Sequence, residues 1–300
     1  MKPALSSLLA SASRRRVLAT LVVLACGLAA SAPAAAQAGA DALRARHAAL
    51  ADKLAANAYK RPLYLESAQA SDNQRGEVFV EVGYPFAVIK RSMQTASQWC
   101  DILALHLNVK RCQAEGTAAH TTMSLSLGKK ADDYTEDASS VTFDYRVVAN
   151  TPGYLQVTMN APEGPLGTRD YRIALEAIPL DGEKSFLHMS YSYGYGFAAR
   201  LAMQVYLSTV GADKVGFSVV GKGPDGKPIL AKGIRGVVER NTMRYYLAIE
   251  AYLGSLALPR AEQTNKRIRD WFAATEEFAP QLHELSESDY VQMKQRQLQP

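Results

Sequence analysis

Arg172, Glu176 and His188 are the residues whose types and spacing come nearest to forming a reactive set in this chain. Arg172 and Glu176 stand four apart in a run of alternating polar and apolar residues, so they share one face of a strand, and His188 occupies the like face of the following run. Lining a cavity, the guanidinium could hold a carboxylate or phosphate and the imidazole could pass a proton. On an outer face, the three would form only a cross-strand surface network of little energetic worth. The alternation favours the outer face. Tyr171, Ile173, Leu175 and Ala177 lie on the other side with Leu187, Met189, Tyr191 and Tyr193 of the next run, and the bulkier apolar set should be the covered one.

Other chemistries find little support. His47, His106, His120, His188 and His283 lack the pairing of a zinc site. Gly221 to Gly226 fits the glycine pattern of a dinucleotide loop, but strands flank it on both sides where a helix would have to follow, so it reads as a hairpin turn. Asp132, Asp133, Glu136 and Asp137 crowd one stretch without calcium-loop spacing and read as a solvated loop. No nucleophile elbow or phosphate-binding loop occurs. No metal and no cofactor is expected. The tyrosines carry more information, because a tyrosine buries an apolar ring yet needs a partner for its hydroxyl. Tyr145, Tyr171, Met189, Tyr191, Tyr193 and Tyr245 are the candidates for a ligand-binding cavity wall; the alternative is plain packing against a covering helix.

The elements that must position these residues follow from periodicity and punctuation. Residues 1–36 read as an export signal: Arg14, Arg15 and Arg16 precede an apolar run from Val17 to Ala25, and small residues end at Ala34-Ala35-Ala36. The run is too short for a membrane span of about 20 residues. Sec and twin-arginine export both fit, and a lipid anchor at Cys26 is a third route. The expected compartment is the periplasm. Four of the 34 basic residues, Lys2 and the three arginines, fall in the signal, leaving 30 against 29 acidic, which argues against a nucleic-acid partner. Cys100 and Cys112 remain, an even number suited to an oxidising compartment. One continuous helix would hold them about 18 Å apart, whereas a disulfide needs Cα atoms within about 4.4–6.8 Å. A bridge therefore predicts a helix that stops near Asn108 and a chain that turns back; two buried free thiols are the alternative.

A helix is expected over Asp41–Tyr59, then strands at Leu63–Leu65 and Glu77–Val82 around a polar loop from Ser67 to Gly76. Two helices follow, Phe86–Ser97 and Trp99–Leu107. Strands are expected at Thr121–Leu127, Val141–Val148, Tyr154–Asn160, Asp170–Ile178 and Ser185–Tyr193, separated by turn-rich breaks. An amphipathic helix at Phe197–Ser208, a hairpin around Gly223-Pro224-Asp225-Gly226, a long helix at Val237–Leu256 and another at Ala261–Phe278 complete the order. The last residues read as polar and frayed. Domain bounds are thus 37–76 for an N-terminal helix and strand, 77–256 for the main domain and 257–300 for a helical extension.

This order, two helices after an early strand, then antiparallel strands, then a long helix, resembles the helix-grip fold of the START-like polyketide-cyclase (SRPBCC) superfamily. The wording of Asp170-Tyr171-Arg172-Ile173-Ala174-Leu175-Glu176, of Phe186-Leu187-His188-Met189-Ser190-Tyr191 and of Gly236-Val237-Val238-Glu239-Arg240 is similar too. The resemblance spans about Glu77 to Leu256 and carries no invariant catalytic motif. It implies an α+β fold in which an antiparallel sheet wraps a long C-terminal helix and leaves a cavity for a lipid or other hydrophobic small molecule. The expected function is binding, with carriage between membranes as its extension. A cavity enzyme of cyclase or hydrolase type using His188 or a tyrosine as acid or base, and a filled module with no ligand, are the alternatives. Phe197, Leu201, Val205 and Tyr206 would form an ordinary surface helix, a lid, or an edge making transient membrane contact at the cavity mouth.

Overall fold

Alternating burial along the central strands sets the layout, since one side of each strand is apolar and must be covered. The structure, a computed structural model, describes residues 31–117, 120–128, 138–209 and 211–298. Most of the expected export segment with Cys26 and the acidic stretch Asp132–Asp137 lie outside them. Strands β1 (Leu63–Gln69), β2 (Asn73–Val82), β3 (Val109–Thr117), β4 (His120–Leu127), β5 (Ser139–Thr151), β6 (Tyr154–Glu163), β7 (Thr168–Pro179) and β8 (Ser185–Tyr195) form one antiparallel sheet in the order β1-β2-β8-β7-β6-β5-β4-β3. A small hairpin, β9 (Val219–Lys222) with β10 (Pro228–Leu230), stands apart.

The helices are α1 (Ser31–Ala49), α2 (Ala51–Ala55), α3 (Phe86–Ser92), α4 (Ala96–Leu103), α5 (Phe197–Ser208), α6 (Gly233–Ser255), α7 (Arg260–Glu276), α8 (Ala279–Leu282) and α9 (Glu287–Leu298). Helix α6 lies over the inner side of β1, β2 and β8. This is the α+β helix-grip arrangement, with α3 and α4 following β2. Among the described residues no helix is long and apolar enough to cross a membrane.

Three readings of the sequence need correction. The stretch from Ser67 to Gly76 is no loop, because β1 and β2 continue through it as a hairpin paired from Leu63↔Val80 to Gln69↔Gln74. Residues Glu287–Leu298 are not frayed. Their polar texture hides a helix, α9, whose Tyr290 and Met293 enter the main core. The N-terminal segment is already helical at Ser31, the first described residue, passes through Ala34–Ala36, and its helices end at Ala55 rather than Tyr59. It lies on the outer face of the sheet, where Leu43, Leu50 and Leu54 pack with Phe79, Tyr154, Ile178 and Phe186.

The cysteines obey the geometric argument. Thr95 and Gln98 start α4 with a reciprocal capping box, α4 stops at Leu103, and the chain reverses into β3. Cys100 and Cys112 come to a Cα separation of 5.2 Å and form a disulfide. Closing a loop of this size stabilises a fold by about 3 kcal/mol. A Cys100→Ser/Cys112→Ser variant should lose that amount in chemical denaturation, and an unchanged midpoint would refute the estimate.

One glycine fixes where α6 sits. At Gly76 an added Cβ would lie 2.2 Å from Thr242 Oγ1, and that hydroxyl is buried and already donates to the Val238 carbonyl at 2.8 Å. Gly76→Ala should cost about 1–3 kcal/mol by overpacking, and adding Thr242→Ala should return part of it. Equal losses in both backgrounds, read by thermal melts, would place the cost elsewhere.

Candidate ligand cavity

With α6 drawn against β2, the inner faces of β4, β5 and β7 are left uncovered beneath it. The space between them is a cavity of about 690 Å³, within the roughly 300–1,000 Å³ usual for ligand pockets. Leu125, Val141, Phe143 and Ile173 supply an apolar wall from the strands, and Ile234, Val237, Asn241 and Tyr245 supply a stripe of α6 at helical spacing. Helix α5 closes one end with Ala199, Ala202, Met203 and Tyr206 beside Pro165 and Leu166. His106, Asn108 and Val109, from the turn between α4 and β3, form the other end.

Four of the six residues expected at the wall stand there: Tyr171, Tyr191, Tyr193 and Tyr245. Tyr171 and Tyr193 stack with ring centres 5.1 Å apart, and Tyr191 meets Tyr245 edge to face at 5.3 Å. Burial pushes all four phenols above their ordinary range, so each stays a neutral hydroxyl and none serves as a base near neutral pH. The other two do not reach the cavity. Met189 is buried between Val78 and Leu175, its cross-strand partners, in the part of the sheet that α6 covers. Tyr145 turns its hydroxyl to the Met93 carbonyl at 3.4 Å. Both lie on the inner face as alternation requires, but at the wrong depth along their strands.

The polar set lies on the opposite face of the sheet. His188 bridges two carboxylates, Nδ1 to Glu176 and Nε2 to Glu77, each at 2.8 Å, and stacks on Phe79 at 4.3 Å. The Tyr154 hydroxyl donates to Glu176, and Arg75 donates to Glu77 at 2.6 Å. Burial pulls the His188 proton affinity down, but the two carboxylates outweigh it and hold the imidazole above its ordinary range. Burial raises Glu176 and Glu77, and their hydrogen bonds with His188 reverse that and leave both below theirs. The outer-face expectation is right in its placement and wrong in its energetics: the His188 side chain is only 12 % exposed, beside the cluster that α1 forms on the sheet. Arg172 is exposed and outside this network. His188 therefore cannot act on a molecule in the cavity.

Sequence reasoning missed Gln74, His106, Asn108 and Asn241 at the wall. Gln74 had a usable signal, since the alternation of Val82, Val80 and Val78 continues through Gly76 to Gln74 on the inner face. Among the described residues no Asp, Glu, Lys or Arg lines the cavity, and none of the Asp, Glu, His and Cys side chains form a group suited to a metal ion. On α5 the outward stripe is Phe197, 83 % exposed, with Leu201 and Val205. Tyr206, grouped with them from the sequence, turns instead to the cavity.

No family model matches the chain, and no curated protein does. Among solved structures, a truncated norcoclaurine synthase from Thalictrum flavum is similar at 15% identity and a TM-score of 0.33, covering 48% of this chain and 89% of its own. An aromatase/cyclase from Streptomyces is similar at 10% identity and a TM-score of 0.30, over 71% of this chain and 95% of its own. A conserved protein from Geobacillus kaustophilus is similar at 16% identity and a TM-score of 0.31, over 47% of this chain and 85% of its own. The helix-grip arrangement is read from the chain's own sheet order and from α6.

Proposed function

We propose that this protein binds a lipid or other hydrophobic small molecule in the cavity between sheet and α6, as a periplasmic binding or carrier protein. The observation that carries the reading is the cavity itself: about 690 Å³ between the sheet and α6, walled by aliphatic side chains and neutral phenols. Affinity would come from apolar burial at about 25 cal/mol per Å², with a few polar groups setting orientation. The periplasmic part is supported by the signal-like N-terminus and by the Cys100–Cys112 disulfide. The outward stripe Phe197, Leu201 and Val205, on the helix that closes the cavity, suits loading at a bilayer surface.

Native mass spectrometry of the protein purified from its own periplasm, kept oxidised, tests this. The expected result is an adduct of small-molecule or lipid mass that is lost on denaturation. Tyr191→Asp should abolish the adduct while leaving circular dichroism unchanged. A folded Tyr191→Asp variant with a full adduct would remove the cavity from consideration as the site.

A further inference from the structure

Resting on the cavity reading, a narrower conclusion about the ligand comes from Gln74. Its side chain stands on the cavity wall, yet the residue is only 1 % exposed, and apart from a loose contact with the Tyr193 hydroxyl neither Oε1 nor Nε2 has a partner in hydrogen-bond geometry. A primary amide offers two donors and two acceptor positions, and an interior almost never leaves all of them idle. The cost of such a group is tolerated where function uses it. The neighbouring polar group is the Tyr193 hydroxyl. Gln74 and Tyr193 are paired across β2 and β8, and the amide lies close enough to ease slightly the rise that burial imposes on the phenol. That phenol stays protonated, so it can accept from the Gln74 amide and donate onward in the same moment.

Charge balance in the cavity restricts what can be received. Among the described residues the wall holds phenols, amides, an imidazole and the hydroxyls of Ser139 and Thr168, but no carboxylate, ammonium or guanidinium. An ionised headgroup brought inside would be desolvated with no opposite charge among the described lining residues to meet it. A neutral oxygen has no such penalty, and Tyr193 with Gln74 behind it can meet it. The stacked rings of Tyr171 and Tyr193 beside this point suit a flat molecule.

We propose that Gln74 and Tyr193 form a polar recognition point that selects an uncharged, flat, apolar ligand bearing a carbonyl-type oxygen, and rejects anionic amphiphiles of the same size. Gln74 is the positioning residue: it orients the Tyr193 hydroxyl, and Tyr193 touches the ligand.

Three probes of one shape test this by titration calorimetry: 2-acetylnaphthalene, 2-ethylnaphthalene and 2-naphthoate. The ketone should bind about tenfold tighter than the hydrocarbon, the gain of one well-made hydrogen bond at 1.4 kcal/mol per decade, and the carboxylate weakest. Gln74→Met should erase the ketone's advantage, leave the hydrocarbon's affinity unchanged and raise the melting temperature, because an unsatisfied amide has gone. Gln74→Glu should not restore the preference. A carboxylate that binds as tightly as the ketone would overturn the proposal, as would a ketone advantage that survives Gln74→Met. Binding of the hydrocarbon alone would overturn it while sparing the cavity reading. Failure of all three to bind would overturn both.

Discussion

Tyr290→Ala should destabilise the protein by about 3–5 kcal/mol, the range for removing a large aromatic side chain from a core. Tyr290 is fully buried although it lies ten residues from the C-terminus of the sequence. Its ring stacks on Trp271 at 4.9 Å and on Phe272 at 5.8 Å, and its hydroxyl donates to the Leu105 carbonyl at 2.9 Å. One turn later on α9, Lys294 Nζ donates to the carbonyls of His106 and Val109, each at 2.8 Å. Both residues therefore hold the turn between α4 and β3, which is also one end of the cavity. Chemical denaturation gives the size of the loss, and Tyr290→Phe separates its parts. The ring should account for most of it, with about 1 kcal/mol for the hydrogen bond. A loss below about 1 kcal/mol in Tyr290→Ala would mean that α9 contributes no core.

His188→Gln should have the next largest effect, about 3 kcal/mol near pH 5.5. That is the lower end for breaking a buried ion pair, because Glu77 and Glu176 keep some access to water. The pH dependence follows from the directions of the shifts. His188 is held above its ordinary 6.5, so its contribution is complete below that value and is lost as pH rises through the raised one. Above it the neutral ring carries a single N–H, and one of the two carboxylates faces a lone pair. Glu77 and Glu176 are held below their ordinary 4.5, so their contribution is present above that value and is lost as pH falls through the depressed ones. The stability gap between wild type and His188→Gln should be widest between these limits and narrow on both sides. A gap independent of pH would show that the imidazole is held neutral.

How much of this was legible in the sequence depended on which physical signal each element carried. Strands β5 to β8 were legible because one side is apolar and the other is not. Helix α5 was legible because Gly196 precedes it and its apolar residues recur at helical spacing. The reversal after α4 followed from cysteine geometry alone. The outer cover was not read, although Phe79, Ile178 and Phe186 stood on the nominally polar face and were its trace; a sheet with one clean face does not disclose that its other face is also partly covered. Helix α9 was missed because Tyr290, Val291 and Met293 are set among Gln, Lys and Arg residues, and Lys294 is buried by carbonyls that no pattern shows. For the cavity, alternation identifies a face but not a depth. That is why Tyr191 and Tyr193 were placed correctly, while Met189 on the same strand belongs to the packed core beneath α6.

The pairing of β2 with β8 has a kinetic consequence. The other neighbours in the sheet are consecutive in sequence and can zip as hairpins, but Glu77 and His188, which meet across this seam, are 111 residues apart. Loop-closure entropy must be met there before any contact rewards it. The β3–β8 meander should therefore assemble first, and the β1–β2 hairpin should dock onto it in the slow, rate-limiting step. Until it docks, the long edge of β8 stands open, with five inner-face residues from Leu187 to Tyr195 available to another chain. Aggregation during refolding should thus be most sensitive to substitutions along β8.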